Sequence, residues 1–260
     1  MHTNITGKTI VFVHGIFMNG NCWKQWMQFY EAKGYKCYAP SYPLHEGNPI
    51  ELRKNPHPDL GKLRFKQVVD SLAAFIDRLP EKPILIGHSM GGLAVQKLIE
   101  LNKGVVGICI QPAPPKGIMS FKWSFIKANL PIVNPFMGNS VCLPGVKWFN
   151  YAVCNTLTLE QTQIVYDQLI IPESRNVPRT SIGNDGKIDF KKPHRPLLFI
   201  AGDQDHIIPY TLNKKNFEAY KDRNSKKDFK LFTGKSHFIC GQQGWEEIAE
   251  YISDWITGLR

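Results

Sequence analysis

Residues 84 to 92 read Ile84-Leu85-Ile86-Gly87-His88-Ser89-Met90-Gly91-Gly92. A short β-branched run ends in Gly-x-Ser-x-Gly, and the residues after it, Leu93 to Ile99, carry apolar side chains at helical spacing. This is the pattern of a nucleophile elbow, in which a buried strand stops, a serine occupies a strained turn and the chain doubles back into a helix. Glycine at 87 and 91 answers a physical need. Strand and helix pass so close that a β-carbon at either position would strike the neighbouring chain. The reading leaves Ser89 exposed above a sheet. Alone, the five-residue pattern also fits a glycine-rich turn that closes a core strand, so the rest of the chain has to supply partners.

Outward from the elbow, apolar strand-like runs alternate with helical patterns. Strands are predicted over 9–13, 35–39, 84–86, 105–110, 197–201 and 229–232, and helices over 23–32, 63–79, 93–102, 212–222 and 245–259. A Pro-rich loop (Pro40, Pro43, Pro49, Pro56, Pro58) separates the second strand from the second helix. Continuous apolar strands between helices predict an α/β fold, a mostly parallel sheet with helices on both faces. From Pro112 to Pro196 the alternation stops and aromatics and prolines accumulate, with one clear helix from Thr158 to Ile170 opened by a Thr-x-x-Gln capping box. This block is too long for a loop. The expected organisation is therefore a core of residues 1–115 and 195–260, with residues 116–194 inserted as a helical cap over Ser89.

Composition narrows the function classes. The 260 residues are 43% hydrophobic and 12% aromatic, as in a globular protein. No apolar run approaches the roughly 20 residues needed to span a bilayer, and Met1 to Thr6 lacks signal-peptide character, so the expectation is a cytoplasmic protein with no membrane span. The net charge of +10 invites a nucleic-acid partner. The basic residues are scattered, however, without interleaved aromatics that would stack bases, and read as a solvated face. Six cysteines lack any Cys-x-x-Cys pair and are expected to be reduced; Cys142 and Cys154 would be the nearest pair for a disulfide in an oxidising compartment.

An elbow serine needs a base to take its proton, and the base needs an acid to fix its tautomer. Asp205 follows the strand ending at Ala201, and His237 follows the strand ending near Phe232, in the order serine, acid, histidine known for this type of sheet. Asp203 is the rival acid. Among the other histidines, His2, His57 and His194 are expected to be exposed, His88 and His206, which flank motif residues, to support the triad from behind or to be structural, and His45 to line the pocket mouth. Two backbone N–H groups should face the developing oxyanion: that of Met90, after the serine, and that of Ile16 in the His14-Gly15-Ile16-Phe17 turn, with Phe17 as runner-up. Phe17, His45, Trp123 and Trp148 are the substrate-pocket candidates. No metal or cofactor is called for.

With these parts the chain resembles the α/β-hydrolase superfamily, in particular its cap-bearing serine hydrolases with a Gly-His-Ser-Met-Gly-Gly elbow. The resemblance covers the core; the cap offers no matching motif. It implies a catalytic triad of Ser89, Asp205 and His237 and an oxyanion hole at Ile16 and Met90. The function expected is hydrolysis of a largely apolar small-molecule ester or lactone, a bulky macrocyclic lactone included, through an acyl-serine. The alternatives are a triad-retaining small-molecule receptor or a carbon-carbon or thioester hydrolase. The sequence fixes no oligomeric state.

Overall fold

The structure is a computed structural model describing residues 7–259; the reading of Met1 to Thr6, with His2, lies outside the described residues. The chain forms β1 (Thr9–Val13), β2 (Lys36–Tyr38), β3 (Ile84–His88), β4 (Val106–Ile110), β5 (Val141–Cys142), β6 (Glu173–Ser174), β7 (Leu197–Gly202) and β8 (Lys227–Phe232). Six of these make one sheet in the order β2-β1-β3-β4-β7-β8, every neighbouring pair parallel. The elbow strand β3 lies between β1 and β4, with Gly87 opposite Val13 and Cys109. All residues of β1, β3, β4 and β7 are buried, as continuous apolar runs in a sheet covered on both faces should be.

The helices are α1 (Lys24–Ala32), α2 (Pro49–Lys54), α3 (Phe65–Ile76), α4 (Met90–Glu100), α5 (Trp123–Val133), α6 (Val146–Ala152), α7 (Leu159–Leu169), α8 (Asn176–Ser181), α9 (Tyr210–Ala219) and α10 (Trp245–Thr257). Side chains alternate along each strand, so one sheet face receives Ile10, Phe12, Ile84, Ile86, Ile108 and Ile110 beneath α1 and α10. The opposite face takes Val11, Val13, Leu85, Cys109 and Phe199 against α3, α4 and α9. The stretch read as a Pro-rich loop contains α2, because Pro49 occupies its first turn, where no N–H is needed, and Asn48 caps it by accepting from Ile50 N at 2.8 Å.

The segment between β4 and β7 is more ordered than one helix in an irregular block. It holds α5, α6, α7 and α8 and the antiparallel β5–β6 ribbon, whose two-residue strands carry no readable pattern. The capping box of α7 is present, with Gln161 N donating to Thr158 Oγ1 at 3.2 Å and Thr158 N to Gln161 Oε1 at 2.9 Å. Among the described residues no helix is long and apolar enough to cross a membrane.

Candidate active site

Ser89 sits between β3 and α4 at φ 57°, ψ −120°, a conformation that a residue with a β-carbon adopts only when its surroundings hold it there. Those surroundings are explicit. Ser89 N donates to Ile110 O at 3.0 Å, and Ser89 O accepts from Gly92 N at 2.9 Å and Ala113 N at 2.8 Å. A β-carbon on Gly87 would run into the Gly91 carbonyl, and one on Gly91 into the carbonyls of Val13 and His14, closer than real side chains approach. The two glycines thus let α4 descend onto the tips of β1 and β3.

The loops after β7 and β8 bring the remaining groups to the same edge. His237 Nδ1 lies 2.6 Å from Asp205 Oδ2, and the other oxygen of Asp205 accepts from Ile208 N at 2.8 Å. Both residues are buried. The rival Asp203 is spent elsewhere: its carboxylate accepts from Gly234 N at 2.7 Å and braces the β8 loop. With its Nδ1–H directed at a carboxylate, His237 keeps Nε2 as an acceptor. Ser89 and His237 line one narrow cleft together with Gly15, Ile16, Phe17, His88 and Ile207.

His88 and Gln111 hold the histidine loop. His88 Nε2 meets the His237 carbonyl at 2.8 Å, and Gln111 Nε2 donates to Ser236 O at 2.9 Å. Burial, with His237 beside it, pulls the His88 pKa down to about 3. The ring is therefore neutral, and because a carbonyl only accepts, its proton is on Nε2. His206 contacts the Tyr151 carbonyl at 2.9 Å, a structural role. His194 is half-buried against Tyr220 rather than exposed.

The β1 loop presses on the serine from the other side, since a β-carbon on Gly15 would lie 2.9 Å from Ser89 Cβ. Among the described residues the backbone N–H of Ile16 has no hydrogen-bond partner. That of Met90 belongs to the first turn of α4, where the intrahelical acceptor is missing. Phe17, at φ 66°, turns the chain, and its carbonyl accepts from Ile171 N at 2.9 Å. His14 anchors this loop: its Nε2 accepts from Tyr42 N at 3.0 Å, its Nδ1 faces Gly15 O at 2.7 Å, and Tyr42 Oη donates to His14 O. Burial and the neighbouring His45 lower its pKa to about 3.

The alpha/beta hydrolase family matches residues 10–251, nearly the whole chain and every group just described. The chain belongs to that family. Solved structures agree on the fold of this alpha/beta hydrolase. A monoacylglycerol lipase from Paleococcus ferrophilus superposes with TM-score 0.71 at 22% identity, covering 98% of this chain and 96% of that one. A variant of tomato methylketone synthase I complexed with beta-ketoheptanoate gives 0.73 at 18%, with 98% and 99% covered. A methylesterase from Arabidopsis gives 0.68 at 16%, with 96% and 98% covered.

Beside Ser89 the hydrolase fold leaves a cavity of about 270 Å³. Ile16, Ser89 and Met90 form its floor, Phe125, Asn129, Ile132 and Val133 of α5 one wall, and Ile207 and Ile208 another. All four pocket candidates lie outside it, and of them only Phe17 borders the cleft. His45 is buried and bonded to Glu173 Oε2 at 3.1 Å and Pro43 O at 2.9 Å, tying the β2 loop to β6. Its pKa is raised, because burial, which lowers it, is outweighed by the Glu173 carboxylate. Trp148 packs edge-on against Phe17 at 6.0 Å, and Phe17 lines the cleft. Trp123 is 73% exposed, on the outward side of α5. The wall residues missed from sequence had one usable signal: Ile207 and Ile208 directly follow Asp205-His206, so a loop carrying the acid necessarily carries them to the site. All six cysteines are free, and among the described residues no three His, Cys, Asp or Glu side chains group as metal ligands.

Proposed function

We propose that the protein hydrolyses carboxylic esters with an apolar acyl or alcohol group, through an acyl-enzyme on Ser89. The observation that carries this reading is His237, paired with Asp205 at 2.6 Å and lining one cleft with Ser89, which in turn floors an apolar cavity. Ser89 Oγ attacks the ester carbonyl while its proton passes to His237 Nε2, and Asp205 stabilises the imidazolium. The N–H groups of Ile16 and Met90 hold the oxyanion. Collapse expels the alcohol, which leaves with the proton from Nε2. Water then gives a proton to Nε2 and its hydroxide to the acyl carbon, and Ser89 recovers its proton as the acid departs.

Residues 116–194 act as the cap, since Gly117 to Met119, α5, α8 and Ile182 together supply more than half of the residues that line the cavity. The volume lies just below the roughly 300–1,000 Å³ that holds drug-sized ligands, which favours a short or medium acyl ester over a macrocyclic lactone. Esterase and lipase chemistry in structural relatives, a methylesterase and a monoacylglycerol lipase, agrees with the reading.

The test is release of p-nitrophenolate from the acetate, butyrate and octanoate esters by the native protein and Ser89→Ala. Turnover should favour butyrate or octanoate over acetate. It should fall by roughly 10³-fold or more in the variant at unchanged circular dichroism, the residual reflecting binding and oxyanion stabilisation alone. An unchanged rate in Ser89→Ala removes the proposal.

A further inference from the structure

Helix α5 is apolar on two sides. Its inner residues Phe125, Asn129, Ile132 and Val133 wall the cavity, yet Trp123, Ile126 and Leu130, at positions i, i+3 and i+7, form a second apolar stripe that faces solvent. The flanking turns extend this exposure, with Phe121 84% and Phe136 94% accessible, and Met119 and Met137 beside them. A surface of this kind on a soluble domain marks a contact site rather than chance.

The patch is also held in place. Arg175 donates to the carbonyls of Pro131 and Ile132, and Arg179 to those of Asn134 and Gly138, so the end of α5 and the turn bearing Phe136 are clamped from α8 and the residue that precedes it. Its electrostatics are one-sided. Residues 104–159 contain four lysines (Lys116, Lys122, Lys127 and Lys147) and no Asp or Glu, within a chain of net charge +10. Lys122 and Lys127 lie within or next to the apolar stripe and are exposed.

From this pairing of exposed aromatics with unopposed lysines we infer that the outer face of α5 docks on an anionic lipid surface. Large apolar side chains enter the headgroup–acyl boundary while lysines attract the negative lipids. A second copy of the chain fits poorly, because it would bring the same lysines face to face. The patch runs into the cavity rim, where Met119 and Ile182 are at once exposed and cavity-lining, so a docked molecule opens its cavity toward the lipid.

Vesicle co-sedimentation tests this without reference to hydrolysis, since Ser89→Ala should bind as the native protein does. The native protein should pellet with phosphatidylcholine vesicles containing phosphatidylserine, pellet less with phosphatidylcholine alone, and be released by salt. The variant Phe121→Ser/Leu130→Ser/Phe136→Ser alters only exposed side chains outside the cavity. It should lose binding by roughly tenfold or more while p-nitrophenyl butyrate turnover stays as it was. Failure to pellet with either vesicle, or equal pelleting of the variant, overturns the inference. So does a dimer in sedimentation velocity that the triple variant converts to monomer, because a second copy then covers the patch.

Discussion

The central strands and the segment between β4 and β7 use apolar residues in opposite ways. In β1, β3, β4 and β7 every side chain is buried, and the same alternation supplies both faces of the sheet. In the inserted segment Phe121, Trp123, Leu130 and Phe136 stand in water, while Phe125 and Ile132, one helical turn away, line a cavity. A strand in the middle of a sheet has no surface to offer, so its sequence answers to packing alone. A helix over a cavity has two surfaces to serve, and its sequence answers to what lies inside and outside. The sheet should accordingly be intolerant of change, and the insertion tolerant in stability but not in what it touches.

The largest effect that separates the two regions is expected at Gly91→Ala. The new methyl would overlap the carbonyls of Val13 and His14, both backbone atoms that cannot rotate away, so β1 or α4 must shift. A cost above about 4 kcal/mol follows, the range reserved for strain at a special backbone site. Soluble yield and urea denaturation would measure it. A stable Gly91→Ala protein would mean that the elbow is looser than the packing of α4 on β1 implies.

The next effect concerns protons. Buried His14 and His88 are neutral, with pKa values lowered to about 3 by burial and by their histidine neighbours, and residues 112–193 contain no histidine at all. A folded pKa below the unfolded 6.5 means that the unfolded chain takes up protons first. Stability is therefore lost as pH falls from about 6.5 toward 3, by about 1.4 kcal/mol per pH unit for each histidine. His45 runs the other way: its pKa is raised by Glu173, so its contribution is complete below 6.5 and fades as pH rises through the folded value. His14, Tyr42 and Glu173 surround it. Urea midpoints should drop from pH 7 to pH 5, and His88→Gln should flatten the slope. An unchanged slope in that variant would show that carboxylates, not the core histidines, set the acid limit.

The contrast between regions also explains what the sequence made legible. Ser89, Asp205 and His237 each follow a buried apolar strand, and strands are read from local pattern, so their meeting at one sheet edge could be anticipated. Spacing from Gly202 and Pro209 favours Asp205 over Asp203 in the sequence, and the turn shows how the two carboxylates differ: one reaches His237, the other Gly234 N. The cavity wall was not legible. Helix α5 is apolar on both sides and contains Pro131, so no periodicity reveals which face turns inward, and Trp123, a pocket candidate by residue type, stands on the outer one. His45 was misplaced because its partner, Glu173, is 128 residues away on a two-residue strand.

The smallest expected effect is a gain, and it tests the tolerant half of the comparison. Gly145 caps the N-terminus of α6 at φ −72°, ψ 158°, ordinary extended geometry for a residue with a side chain, and a β-carbon there meets nothing within 4 Å. No side chain caps this helix. In Gly145→Ser the hydroxyl can accept from an N–H of the first turn, worth a few tenths of a kcal/mol over glycine. The serine also narrows the unfolded ensemble, by an amount comparable to the 0.4–1 kcal/mol typical of replacing glycine at a compatible site, roughly. A rise in melting temperature of about 1–3 °C is expected for a chain of this size. One glycine substitution in the elbow and one in the insertion should thus have opposite signs, because the missing β-carbon at 91 makes room for another chain, whereas at 145 it leaves only solvent. A lowered melting temperature in Gly145→Ser would show that the insertion is packed as tightly as the sheet and would erase the distinction.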